Sequence, residues 1–119
     1  MLSKPFIYSE VNSLKSELIE IRRLIHENPE LGFQEFKTSA YISSYLKSLG
    51  LEVIEGVAKT GVIGLLKGSF PGPTVLIRAD MDALPMQEDT DLQFKSKNIG
   101  VHHAVAMMDM YRSFSWQQK

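Results

Sequence analysis

The feature that most constrains the fold is a short apolar run that leads directly into charged residues. Residues 75–77 are valine, leucine and isoleucine, and the stretch at 78–82 reads RADMD. Side chains alternate between the two faces of a strand, so an uninterrupted apolar run is typical of a central strand covered on both sides. The run therefore predicts a strand over residues 74–79 inside a layered α/β fold.

Two helices are predicted before this strand. Between residues 10 and 27 apolar residues recur at helical spacing and charged residues occupy the other side, which is typical of an amphipathic helix. Asn28-Pro29 ends that helix, because the residue before a proline is disfavoured in the helical conformation. A second helix is predicted over residues 35–49, with Gly50 suited to its C-cap.

After Gly50 the pattern changes to short strand-like runs. Strands are predicted over residues 51–54 and 61–66, and a turn rich in glycine and proline is predicted over 68–73. Residues 85–98 are polar and predict a loop. Helices that precede strands favour the α/β class, in which functional sites collect at the carboxyl ends of strands.

Composition excludes several classes of function. A chain of 119 residues supports one domain at most, and a net charge of −1 without a basic run argues against nucleic-acid binding. No apolar stretch approaches the roughly 20 residues of a membrane helix, and the N-terminus lacks the apolar core of a secretory signal. We therefore expect a cytoplasmic protein with no membrane partner. The sequence holds no cysteine, so disulfides and thiolate metal ligands are excluded.

Asp80 and Asp82 are the candidate site residues at the end of the predicted central strand. Two carboxylates two residues apart at a strand end can both reach a metal ion, or one can orient a histidine that does. An ordinary polar strand exit, with Asp82 capping a turn, explains the same spacing and is favoured when spacing is considered alone. Both interpretations stay open at this point.

The three histidines give weaker signals. His102 and His103 are adjacent, so they diverge on a regular strand or helix, and zinc needs three or four convergent ligands. A surface loop is therefore the favoured interpretation of this pair. His26 lies near the end of the first predicted helix, and an interaction with the last helical carbonyls is favoured over catalysis.

Four ordered motifs resemble one enzyme family over residues 13–104. They read RRLIHENPELGFQE at 22–35, KTGV at 59–62, RADMDALP at 78–85 and FKSKN at 94–98. This set resembles the metal-dependent amidohydrolases and metallopeptidases that include hippurate hydrolases, N-acyl-L-amino-acid amidohydrolases and plant auxin-conjugate hydrolases. The resemblance identifies residues 1–104 as an N-terminal part of the family's catalytic domain.

The resemblance implies a mixed sheet flanked by helices, interrupted by a smaller lid domain, and a pair of divalent metal ions such as manganese or zinc. It also implies hydrolysis of the amide bond of small N-acyl amino acids, with a metal-bound water as nucleophile and a glutamate as general base. Asp82 corresponds to an aspartate beside the metal centre that orients a ligand. Asp80 belongs to the same motif, but its role in the family is less defined.

The family's next motif reads His-Ala-Cys-Gly-His-Asp-Gly-His and supplies metal ligands through its cysteine and second histidine. Here His103-Ala104 match, and then Val105-Ala106-Met107-Met108 replace the ligand positions. His103 thus borders a lost motif, and residues 105–119 form a tail foreign to the family. We expect a truncated amidohydrolase that binds no metal pair and is inactive by itself. The alternative is a non-catalytic remnant or an interaction fragment that pairs with an intact homologue, and the oligomeric state stays open.

The foreign tail is compatible with a shifted reading frame. When each triplet takes the last base of one codon and the first two of the next, Met107 and Met108 force GAT for aspartate, and Met108 with Asp109 forces GGA for glycine. One added base before the Val105 codon and permitted third bases then give Cys-Gly-His-Asp-Gly-His, the family motif. Our hypothesis is that a one-base deletion produced residues 105–119.

Overall fold

The structure, a computed structural model, describes residues 4–104, with side chains described from Tyr8 onward. It contains three helices followed by a two-stranded sheet: α1 Lys4–Ser13, α2 Lys15–Glu27, α3 Phe36–Ser48, β1 Glu52–Val57 and β2 Gly61–Leu65. The strands β1 and β2 pair antiparallel, and α3 contacts both of them. None of the helices within residues 4–104 combines the length and apolar character needed to cross a membrane.

The first predicted helix, over residues 10–27, is divided in two at Leu14. The hydroxyl of Ser13 donates to the Glu10 carbonyl at 2.7 Å, and such a bond competes with the helical ladder where α1 ends. The predicted end at Asn28 is confirmed: its side-chain amide donates to the Leu24 carbonyl at 2.9 Å and satisfies a terminal acceptor of α2.

The second predicted helix is confirmed as α3, and Gly50 ends it as expected. Gly50 has a φ of +81°, a left-handed conformation that costs glycine little because it has no Cβ. Its amide donates to the Lys47 carbonyl at 3.0 Å, and the amide of Leu51 donates to the Leu46 carbonyl at 3.2 Å. This pair of bonds is the Schellman arrangement, which turns the chain from α3 into β1.

The predicted strands over 51–54 and 61–66 correspond to β1 and β2. The tight turn between them requires Gly61, because a Cβ there would lie 2.5 Å from the Val57 carbonyl oxygen. In the same turn, the Thr60 hydroxyl donates to Glu35 at 2.7 Å, and both side chains are buried. This bond fixes the hairpin against the start of α3.

Residues 74–79 do not form a strand, which corrects the first prediction. Strand geometry is stabilised by ladder hydrogen bonds to a neighbouring strand, and among residues 4–104 the hairpin partners β1 and β2 pair only with each other. The apolar side chains are correspondingly uncovered, with Val75, Leu76 and Ile77 exposed by 82%, 86% and 65%. The α/β class with helices beside a small antiparallel sheet is confirmed, whereas this central strand is not formed.

The buried side chains are mainly polar. Pro29 and Ala83 are the apolar residues that reach full burial among those described, and they are joined by these polar ones: His26, Glu35, Thr38, Ser43, Thr60, Glu88 and His103. Burying one large apolar side chain contributes roughly 1.5–3 kcal/mol to folding. A described region whose interior is polar therefore depends on satisfied hydrogen bonds more than on apolar burial.

Candidate functional site

The polar interior centres on a pair formed by His26 and Glu88. His26 lies in the last turn of α2, and its Nε2 donates to Glu88 Oε1 at 3.0 Å, with side-chain exposures of 10% and 3%. The prediction that His26 interacts with the last carbonyls of its helix is therefore wrong. The imidazole points to a carboxylate 62 residues away in sequence, and Asn28 supplies the cap instead.

Both oxygens of Glu88 accept hydrogen bonds. Oε1 also accepts from the Thr90 hydroxyl at 2.6 Å, and Oε2 accepts from the Ser96 amide at 2.7 Å. Burial by itself would raise the pKa of Glu88, but the bonds from Ser96, Thr90 and His26 outweigh it and lower the pKa to about 2. Glu88 is thus a buried carboxylate that stays ionised. We call His26, Glu88, Thr90 and Ser96 the Glu88 network.

Further contacts hold the polar loop against the end of α2. The Lys97 amide donates to the Glu27 carbonyl at 2.9 Å, and the Lys97 ammonium also pairs with the Glu27 carboxylate. The Asn98 side-chain amide donates to the Pro29 carbonyl at 2.7 Å. Phe94 lies with its ring centroid 5.8 Å from that of His26 in an edge-to-face arrangement. The predicted loop character of residues 85–98 is confirmed, but the loop is anchored by named bonds.

Residues 82–84, where the RADMD stretch ends, lie beside the same helix end. The Ala83 amide donates to the Glu30 carbonyl at 2.8 Å. Leu84 and His102 exchange two backbone hydrogen bonds, at 3.0 and 3.1 Å, and form an isolated antiparallel bridge. Residues after the RADMD stretch are thereby joined to the histidine pair.

His103 is buried, so the prediction of a surface loop is wrong for this residue. It is 8% exposed, and its Nε2 is a buried polar atom without a hydrogen-bond partner. Burial lowers the pKa of His103, and the nearby charge of His26 acts in the same direction. The charge of Asp82 and a hydrogen bond to its backbone oppose this shift. At neutral pH the ring is therefore held in its uncharged form.

The three imidazoles lie together at this position. The ring centroid of His26 is 6.3 Å from that of His102 and 6.4 Å from that of His103. The sequence predicted divergence of the adjacent pair, but both rings approach the same third ring. The separation of His26 from the pair by 76 residues or more hides this cluster from any local pattern.

Asp80 and Asp82 differ in their surroundings. Asp80 Oδ1 accepts from the Arg78 guanidinium at 2.5 Å. Asp82 has an exposed side chain, and its Oδ2 would lie 3.8 Å from a Cβ placed on Gly32. The structure thus places Asp82 close to both Gly32 and the His103 ring.

The described residues do not complete a metal site. Within residues 4–104, no group of three or more His, Asp or Glu side chains could hold a metal ion. The unpaired Nε2 of His103 is a donor of the right chemistry, but a single imidazole does not fit a pair of divalent ions. Positions after Ala104, where the family motif places its ligands, lie outside the described residues.

Glu88 is the site residue that sequence reasoning missed. It stands in the run Gln87-Glu88-Asp89-Thr90, where an acidic residue has the appearance of a solvated loop position. Its burial depends on a contact with α2 that no spacing rule predicts. The family motifs quoted above leave residues 86–93 out as well.

Comparison with known proteins identifies relatives over most of the described region. Thermostable carboxypeptidase 1 of Saccharolobus solfataricus is 53% identical over 97 residues, which are 81% of this chain and 25% of that protein. The hippurate hydrolase of Campylobacter jejuni is 50% identical over 95 residues, covering 80% and 25% respectively. The N-acyl-L-amino acid amidohydrolase of Geobacillus stearothermophilus is 45% identical over 103 residues, covering 87% and 28%. The chain spans about a quarter of the length of these relatives.

A solved structure supports the same relationship. A Bacillus subtilis protein described as a dinuclear metal binding peptidase of the M20 family matches with a TM-score of 0.73 and 45% identity. The match covers 77% of this chain and 26% of that one. No family model matches the chain.

Proposed function

We propose the function of this chain from the chemistry of the amidohydrolase and metallopeptidase family that includes hippurate hydrolase. The chain belongs to this family and covers about a quarter of the length of its relatives. The parent enzyme, by which we mean the full-length family enzyme that this chain corresponds to in part, hydrolyses the amide bond of small N-acyl amino acids with a pair of manganese or zinc ions. In it Asp82 orients a ligand, and Asp80 has a supporting role in the same motif. The observation that carries this proposal is the identity of 45–53% with relatives that include named amide hydrolases.

This chain by itself does not hydrolyse such substrates. Two-metal hydrolysis needs several ligands around each ion and an open position for water. Residues 4–104 offer no group of three ligating side chains, and the whole sequence contains no cysteine for the family motif. A cytoplasmic location stays a prediction.

An assay on the full chain tests the absence of activity. Hippurate and N-acetyl amino acids are incubated with the chain, with manganese or zinc added in one series and a chelator in the other. We expect the rate of release of free amino acid to equal the chelated blank. Hydrolysis that requires the metal would contradict the proposal and would make the chain an enzyme in its own right.

A chimera tests the parent function. In the Geobacillus amidohydrolase, the matching segment is replaced by residues 13–104 of this chain. We expect the chimera to keep metal-dependent hydrolysis of N-acyl amino acids, because the two segments are close relatives. The variant Asp82→Asn in the chimera should lose roughly 10- to 100-fold in activity, as for a residue that orients a ligand. Asp91→Asn, at an exposed loop position, is the matched control.

A second function is favoured by one observation, the exposure of Val75, Leu76 and Ile77. In this alternative the chain is a non-catalytic fragment that pairs with an intact homologue, which covers the apolar residues. Co-expression of the tagged chain with the intact Geobacillus relative tests it. Stoichiometric co-purification that is lost in Leu76→Asp supports pairing, and its absence leaves the inactive remnant.

We propose a frameshift as the origin of residues 105–119. The forced aspartate and glycine codons in the neighbouring frame support it, because they fall where the family motif requires them. The nucleotide sequence after the His103 codon decides the matter. A neighbouring frame that does not encode Cys-Gly-His-Asp would exclude this origin.

A further inference from the structure

Glu88 is one of the buried charged groups of the described region, and the proposed hydrolysis assigns it no role. Its side chain is 3% exposed, and both oxygens accept hydrogen bonds, from His26 and Thr90 at Oε1 and from Ser96 at Oε2. Burying a carboxylate is costly unless its lone pairs are satisfied. A carboxylate that accepts from two donors in its own loop and from a distant helix fixes the loop against that helix.

The bonds continue from Glu88 to the histidine pair. Ser96 donates its amide to Glu88, and its hydroxyl donates to the carbonyl of Val101 at 2.6 Å. On the neighbouring residue, the side-chain oxygen of Gln87 accepts from the Gly100 amide at 2.8 Å. Residues 100 and 101 directly precede His102, so these bonds from Gln87 and Ser96 determine where the chain approaches Leu84.

A second route runs through the His26 ring. The bond to the Glu88 carboxylate requires a hydrogen on Nε2 and fixes the plane of this imidazole. His102 and His103 both lie against the fixed ring, with centroid separations of 6.3 and 6.4 Å. A His26 ring that rotated freely would not hold the rings of His102 and His103 at these separations.

We propose that Glu88 is a positioning residue: it fixes His26 and Ser96, and through them it places His102 and His103 beside residues 82–84. This inference goes beyond the proposed function. It concerns side chains of this chain alone, and it holds whether or not the chain contributes to amide hydrolysis. Its failure and that of the proposed function are therefore distinguishable.

The test records the ring nitrogens of the three histidines by NMR in the full, ¹⁵N-labelled chain at neutral pH. In the unchanged chain we expect the signal of a protonated Nε2 at His26 that donates to a carboxylate. In Glu88→Gln we expect the His26 Nε2 signal to shift as the ring loses this hydrogen bond, with shifted ring signals at His102 and His103. The amides of β2 should keep their positions, which a general loss of structure would not allow.

Three further variants make the test decisive. Glu88→Asp keeps the carboxylate and should restore the His26 Nε2 signal in part. Thr90→Ala removes one donor to Glu88 and should give a smaller shift than Glu88→Gln. Glu52→Gln, an exposed carboxylate on β1 that pairs with Lys67, is the matched control and should leave all three rings unchanged.

The outcomes separate positioning from a purely structural role. Ring signals that do not respond to Glu88→Gln overturn the proposal. If that variant does not fold, Glu88→Asp and Thr90→Ala decide: altered His26 signals with intact β2 amides support positioning. Unaltered rings, or loss of the β2 amides in both variants, overturn it.

Discussion

Two regions of this molecule treat their most unusual residues in opposite ways. Around the end of α2, the Glu88 network buries a carboxylate and an imidazole and satisfies them with hydrogen bonds from within the described chain. In residues 70–79, which we call the apolar segment, Phe70 and Leu76 are exposed by 88% and 86%. The charged and polar side chains of the Glu88 network are thus buried, whereas the apolar side chains of the apolar segment are exposed to solvent.

The polar groups are satisfied by hydrogen bonds within residues 4–104, whereas the side chains of the apolar segment are not covered there. Residues on both faces of the apolar segment are exposed, so a single neighbouring strand at its edge would not cover them. In the solved M20 relative the matched region is 26% of the chain. Substitutions in each region therefore test which of the two determines the stability of residues 4–104.

Removing the carboxylate of the Glu88 network should give the largest effect. In Glu88→Ala the donors from His26, Thr90 and Ser96 lose their acceptor inside the protein. Leaving buried donors unpaired costs about 1–3 kcal/mol each and is not additive, so we expect a loss of roughly 3 kcal/mol. The amide of Lys97, which donates to Glu27 and not to Glu88, should then exchange with solvent on the order of 100-fold faster.

The matched control is Glu52→Ala. This exposed carboxylate pairs with Lys67 on the hairpin at 2.7 Å, and an exposed ion pair contributes little. We expect no measurable change at Lys97. Equal exchange rates of the Lys97 amide in the native and Glu88→Ala chains would show that the Glu88 network does not hold the loop of residues 85–98 against α2.

Acid should open the same region without any substitution. The folded-state pKa of Glu88 is about 2, below its ordinary value of 4.5, so its contribution is complete above pH 4.5 and is lost as pH falls through 2. Exchange at the Lys97 amide, corrected for its intrinsic pH dependence, should accelerate over this window. A protection that persists unchanged to pH 2 would contradict the lowered pKa.

His103 should add an earlier step to the acid response. Burial lowers its pKa below the ordinary value of 6.5, so the unfolded state binds the proton first and folding weakens as pH falls below 6.5. The variant His103→Gln removes this titration while it keeps a polar side chain. We expect protection to stay level from pH 6.5 down to the Glu88 window in this variant, and a decline of the same size in both chains would assign the step to another group.

A smaller effect is expected at Glu30, which joins the start of α3 to Ala83. Its carboxylate accepts from the backbone amides of Lys37 and Thr38 at 3.2 and 2.8 Å and so caps α3, while its carbonyl accepts from Ala83. Loss of such a cap in Glu30→Ala should cost about 1 kcal/mol, seen as a lower unfolding midpoint. Glu20→Ala, on the exposed surface of α2, is the control, and equal midpoints for the two variants would exclude the capping role.

Local signals predicted the regular elements well, and they failed where long-range contacts decide. Asn28 and Gly50 ended their helices as expected, because capping depends on neighbours within a few residues. Glu88 was missed, since its burial depends on His26, 62 residues away. Residues 74–79 have the apolar pattern of a strand that is covered on both faces. The pattern indicates the packing that such a strand needs, but the described residues do not provide that packing.

The smallest effect on stability is expected in the apolar segment, with Leu76→Asp. A side chain that is already 86% exposed loses few contacts, so the free energy of unfolding should change by less than about 0.5 kcal/mol. The same change should reduce self-association in sedimentation velocity, because exposed apolar runs drive contacts between chains. Ile99→Asp, at 94% exposure in a different loop, is the control and should leave association unchanged. If Leu76→Asp instead lowers the free energy of unfolding by more than about 1 kcal/mol, the segment is covered within this chain and the contrast between the two regions fails.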